Sequence, residues 1–190
     1  MISTDPRFWL YQKLMQYNAW NDMETKFQTE TLKFLEEDSH CFETSNIAGH
    51  ITGEAWVINK EKTKILLTHH KTLDRWFQLG GHSDGDPITL NVALREAQEE
   101  SGLENIVILS EDIIDIDVHP IPEKKGIPAH THYGIAFLFE ANENNTLILP
   151  EHESKELRWV PFEEILQLNP GRQRMIEKLQ NLKPLLYKNC

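Results

Sequence analysis

Between Gly80 and Leu103 the chain reads GGHSDGDPITLNVALREAQEESGL, and three glutamates in that stretch have the spacing that chemistry needs. Residues three and four apart are neighbours on a helix surface, so Glu96, Glu99 and Glu100 would share one arc of a helix. Three carboxylates on one face repel each other unless a cation sits between them. Hard oxygen donors of this kind suit Mg²⁺ or Mn²⁺, ions that bridge carboxylates to substrate phosphates. An acidic helix face is ordinarily solvated surface, and Arg95 with Glu99 makes an ordinary i,i+4 ion pair. The glycines just before the helix weigh against that plain reading. Gly80, Gly81 and Gly85 let the backbone turn tightly and come close to a ligand.

Histidines form a second constellation. His130 and His132 alternate, so on a strand they share a face, and with His82 and His50 a cluster is conceivable. No CxxC or HExxH spacing supports zinc. The expectation is therefore that His82 lies beside the pocket and that His130 and His132 form a polar edge or touch substrate. Trp76, Phe77 and Tyr133 are candidates for stacking on a nucleobase, or else core residues.

The elements that must hold these residues follow from periodicity. The spacing predicts a helix over 88–101, with Leu90, Ala93, Leu94 and Ala97 in its apolar stripe and Gly102 as its stop. ITGEAWVIN, KILLTH and RWFQL read as short strands before it, the third ending at Gly80-Gly81. IVIL, residues 114–118, YGIAFLFEA and ELRWV read as strands after it. Helices are expected from Pro161 and from Pro170. Strands and helices mix without strict βαβ alternation, so the fold class is α+β with a mixed sheet rather than a doubly wound one. Residues 1–45 form a helical extension and 46–190 the main domain. Asp5-Pro6 starts a first helix, and Asn21 with Glu24 resembles a capping box for a second running to Glu37. These helices either pack on the core or make a homodimer contact.

The glutamate stretch resembles the Nudix box: Gly, five residues, Glu, seven residues, Arg-Glu-apolar-any-Glu-Glu-any-Gly-apolar. From Gly81 the chain supplies Arg95, Glu96, Ala97, Glu99, Glu100, Gly102 and Leu103 in register, and the likeness extends over roughly 47–170. One position departs, Pro87 standing where the family has its first glutamate, which mostly braces the arginine; Asp86 is expected to compensate in part. The resemblance implies an αβα sandwich and Mg²⁺- or Mn²⁺-dependent hydrolysis of a phosphoanhydride. The substrate would be a nucleoside diphosphate linked to another group: a nucleotide sugar, an ADP-ribose-like compound or a nucleoside triphosphate. It implies Glu96 and Glu100 as leading metal ligands, with Glu99 and a backbone carbonyl at Gly80 or Gly81 beside them. Glu99, Arg95 and a loop carboxylate would serve catalysis. The loop PEHESKELRW offers Glu151, Glu153 and Glu156, of which Glu153 is preferred; Trp76, His82 and His132 are the substrate contacts.

Two other functions share the fold. An isomerase of isopentenyl diphosphate needs a cysteine in a strand near the pocket, which neither Cys41 nor Cys190 supplies. A non-catalytic ligand sensor commonly lacks metal glutamates, and here all three stand. Composition bounds the rest. The chain has 190 residues, 39% hydrophobic and 26% charged, enough for one domain with a real core. A net charge of -11 disfavours a nucleic-acid partner and means that a phosphate substrate needs local cations. Two cysteines, no apolar run of bilayer length and a charged start point to a cytoplasmic protein with no membrane partner.

Overall fold

A computed structural model describes residues 2–124, 126–150 and 152–186; Glu151 and Cys190 lie outside them. The described residues form one eight-stranded mixed sheet with helices on both faces. Its spine is β1 (Gly49–Asn59), paired in parallel with β7 (His130–Ala141) over the whole of its length, from Gly49↔Thr131 to Asn59↔Ala141. On its other edge β1 meets β2 (Lys64–His70) at one end and β4 (Leu79–His82) at the other, both antiparallel. β2 carries β3 (Arg75–Phe77) and β8 (Ser154–Pro161), while β7 carries β5 (Ile106–Ile108) and β6 (Asp115–Ile121).

The spine strands are apolar on both faces, because both faces are covered. Ile51, Ala55 and Val57 of β1 join Ile135, Phe137 and Phe139 of β7 in a core under α1 (Phe8–Gln16), α2 (Asp22–Glu37) and α3 (Thr89–Ser101). Trp56 and Ile58 point the other way. With Ala136 and Leu138 they pack against Phe162 and Ile165, and against Met175, Ile176 and Leu179 of α5 (Gln173–Leu186). The short α4 (Ile165–Leu168) lies between them in sequence. The expected αβα sandwich is the observed one.

Particular expectations need correction. The third strand does not run unbroken to the glycines. It splits at Gln78, with β3 pairing to β2 and β4 crossing to β1. The apolar stripe of α3 is rotated from the expected one: Val92 is fully buried while Leu94 is only half-buried. Gly53 explains the rotation. A Cβ there would meet the Ala93 nitrogen and the Thr89 carbonyl, each at 2.8 Å, so α3 sits directly on the β1 backbone at that residue. In the extension, Asn21 accepts from the Glu24 N–H at 3.0 Å as expected. The Glu24 carboxylate does not return to Asn21; it accepts from the Trp20 N–H and the Tyr17 hydroxyl. The extension is packed onto the domain: Leu10, Leu14 and Leu35 lie in the same core as α3. A buried ionic network ties α2 to β6 and α5, with Lys178 and Arg174 bridging Glu24 and Asp115.

Candidate active site

α3 carries the carboxylates, and its N-terminal approach fixes where they point. Asp86 accepts from the Ile88 N–H at 2.8 Å, just after Pro87 and before the first helical residue. Asp86 therefore shapes the turn and does not brace Arg95. The Arg95 guanidinium is held instead by the His82 carbonyl (2.9 Å), by Glu96 (2.7 Å) and, more loosely, by Glu99 (3.3 Å). At the other end Gly102 takes φ 70°, the left-handed conformation in which glycine ends a helix, and its N–H bonds the Gln98 carbonyl.

The two glycines of β4 lie directly beneath the carboxylates. The Gly80 N–H donates to Glu100 at 2.9 Å. A Cβ on Gly81 would collide with the Glu96 carboxylate, so glycine lets that acid approach the strand. Gly80 itself has φ 151° and no room for a Cβ against the Gly53 carbonyl. Glu96 is largely enclosed while Glu99 is open to solvent.

Burial dominates the electrostatics of these carboxylates. Burial, together with the nearby Glu96, Glu153 and Glu99, pushes the Glu100 carboxyl up to about 8, against the Gly80 hydrogen bond. Burial also raises Glu96, with Arg95 opposing and Glu99 reinforcing. Carboxylate oxygens seated beside the β4 glycines, with Arg95 paired to Glu96 and Glu99, are donors of the kind that suits a hard divalent ion. Glu153, exposed in the loop before β8, is the loop carboxylate that acts on both Glu100 and His82. Glu156 lies in β8 opposite His69, and Glu151 is outside the described residues.

The aromatic candidates go elsewhere. Trp76 is 8% exposed in the second core, with His69 stacked on it at 5.0 Å and the Arg158 guanidinium over its ring at 4.8 Å. The expectation that it stacks on a nucleobase is corrected: its ring is already covered. Tyr133 stacks on Phe34 of α2 at 4.3 Å, and Phe77 lies under the Arg172 guanidinium at 5.2 Å. The histidines do gather. His50, His82, His130 and His132 form one cluster, joined by His119, which the sequence reading missed. Its alternation with Asp115 and Asp117 along β6 was the available signal. Also missed was Glu54, in the middle of the apolar run of β1. Burial and Asp117 push it up to about 7, and the Gln78 amide donates to it.

A NUDIX domain model matches residues 52–181. Solved structures share the fold at low identity. An Ap4A hydrolase of C. elegans is 21% identical with a TM-score of 0.54, covering 73% of this chain and 98% of that one. The MutT protein of Methanosarcina mazei Go1 is 22% identical with a TM-score of 0.53, covering 71% and 95%. A Nudix hydrolase of M. smegmatis, RenU, is 21% identical with a TM-score of 0.51, covering 72% and 88%. No curated protein matches the chain. With two thirds of its length matched by the domain model, the chain belongs to the NUDIX family. It is by that membership a Nudix-type pyrophosphohydrolase. Among the described residues no helix is long and apolar enough to cross a membrane.

Proposed function

We propose that the protein hydrolyses a phosphoanhydride bond in a nucleoside diphosphate linked to a further group, with Mg²⁺ or Mn²⁺ held by Glu96, Glu99 and Glu100 and by the Gly81 carbonyl. The observation that carries this reading is the seat of the carboxylates. Glu96 and Glu100 are packed onto a glycine pair whose missing side chains leave room for them, and burial raises both carboxyls. When bound, such an ion neutralises phosphate oxygens and orients water for attack on phosphorus.

The chain's own groups account for the remainder. Arg95 is a positioning residue: its bonds to Glu96 and to the His82 carbonyl lock the helix to the end of β4. Glu153 and Glu99 are the candidates to take a proton from the attacking water. Glu153 is preferred, because Arg95 already engages Glu99 and because Glu153 comes from a separate loop. His82 is kept as a substrate contact because Glu153 acts on it as well as on Glu100. Relatives named for Ap4A and MutT-type hydrolysis make dinucleoside polyphosphates and nucleoside triphosphates the first compounds to try, beside nucleotide sugars. A mass-spectrometric screen over these three groups in Mg²⁺ or Mn²⁺ tests the reading. It expects metal-dependent cleavage between phosphorus atoms in at least one group. No turnover of any of them, with either ion, contradicts it.

A further inference from the structure

The histidine cluster lies on the sheet face that α3 leaves uncovered. Along β1, His50 has the parity of Trp56 and Ile58, which pack against α5, and not that of Ile51 and Ala55, which face α3. Strand register brings the rest to it. His132 stands directly beside His50, His119 beside His132, and His82 opposite Thr52. His130 precedes His132 by two residues on β7, on the same face.

Three ring nitrogens converge at one point. The Nε2 atoms of His50 and His132 are 3.0 Å apart, those of His130 and His132 are 3.2 Å apart, and all three lie within 4.8 Å of one another. A tetrahedral ion with metal–nitrogen bonds of about 2.0–2.1 Å separates its ligand nitrogens by roughly 3.3 Å. Hydrogen bonding among the rings does not account for the arrangement. His130 Nδ1 is 2.8 Å from the Pro128 carbonyl, which only accepts, so Nδ1 carries the proton and a neutral His130 presents a lone pair at Nε2. His132 Nε2 then donates to His130 and has no lone pair left for His50. One of the two short contacts is left without a well-directed proton, whereas a single cation satisfies both. A cleft lined by Thr44, Asn46, Ile47, Ile127 and Pro128 has His130 in its wall.

We propose that Nε2 of His50, His130 and His132 bind one transition-metal ion of the zinc class, at a site separate from the carboxylates of α3. Nitrogen donors select Zn²⁺ or Co²⁺ over Mg²⁺, so the two sites sort two ions by ligand chemistry. Three protein ligands leave a fourth position open, as in zinc sites that take water or a ligand. His82, with its ring 4.9 Å from His50, borders that position. The site joins the starts of β1 and β7.

The test uses the full chain, stripped with chelator and titrated with Zn²⁺ and separately with Co²⁺, both in excess Mg²⁺. The expected result is one equivalent of Zn²⁺ and the intense visible bands of tetrahedral Co²⁺. Both should persist when Glu96, Glu99 and Glu100 are all changed to Gln. His132→Asn and His130→Gln should each weaken Zn²⁺ by about tenfold or more, with wild-type circular dichroism. His130→Gln lies at the rim and keeps the test decisive if His132→Asn disturbs folding. Absence of stoichiometric Zn²⁺ in the wild type overturns the proposal. So does Zn²⁺ binding that survives His130→Gln at full strength, or that disappears with the three glutamates.

Discussion

Glu100 carries much of the reading, because one side chain shows both faces of the problem. It accepts a backbone hydrogen bond from Gly80, yet burial and neighbouring acids raise it to about 8. A carboxyl raised above its unfolded value contributes stability that is fully present below the unfolded value, near 4.5. That contribution is lost as pH rises through the folded one. In chelator, thermal stability should therefore fall between about pH 6.5 and 8. Glu100→Gln should flatten the decline, as differential scanning fluorimetry would show. Below that window His50 and His132, both lowered by burial, act in the opposite sense, so the wild-type profile should pass through a maximum. For the base, Glu153→Gln should lower kcat by about a hundredfold or more with KM little changed, the scale of a lost general base. An equal effect from Glu99→Gln, with Glu153→Gln silent, would transfer the role. The helical placement of Glu96, Glu99 and Glu100 was legible in sequence because helical spacing maps directly onto a surface. Trp76 was not, since an aromatic residue reads alike whether it stacks on a ligand or fills a core.

At the scale of elements, function depends on how closely α3 is held to the sheet. Gly53 on β1 and Gly81 on β4 are glycines at which an added Cβ would collide with α3, and the sequence motif marks only the second. Gly53→Ala should destabilise the fold by about 1–3 kcal/mol, as overpacking does, measured by urea denaturation. An unchanged midpoint would mean that the helix can retreat without loss. Pro87 stands in the turn before α3 and the Asp86 side chain satisfies the Ile88 N–H, so Pro87→Glu should alter turnover by less than about tenfold. A gain of several orders of magnitude would mean that Arg95 is poorly held in the natural protein. The split of the third strand at Gln78 was not legible, because it follows from which neighbour each half pairs with. Local periodicity carries no such information.

Across the whole molecule, the extension and the domain share one core and one ionic network. Lys178 donates to Tyr17 and to Asp115, both at 2.7 Å, and pairs with Glu24. Replacing it with methionine leaves two buried carboxylates short of a partner. Lys178→Met should cost about 3–5 kcal/mol, seen as a lowered denaturation midpoint of the full chain. Sequence reading gave the extension its helices and the cap at Asn21. It could not foresee a network joining residues so far apart in the chain, and it raised a histidine cluster without the register that brings His119 into it. With a net charge of -11, the molecule as a whole repels the phosphates it is read as cleaving, so the reading turns on the cation proposed at α3. The most direct measurement is the metal-dependent turnover of Glu100→Gln, on the best substrate from the screen, at saturating substrate and matched Mg²⁺ or Mn²⁺. The account predicts a loss of two or more orders of magnitude, roughly 3 kcal/mol of barrier, with the fold intact by circular dichroism. Turnover close to that of the wild type would contradict it and return the glutamate face to ordinary surface.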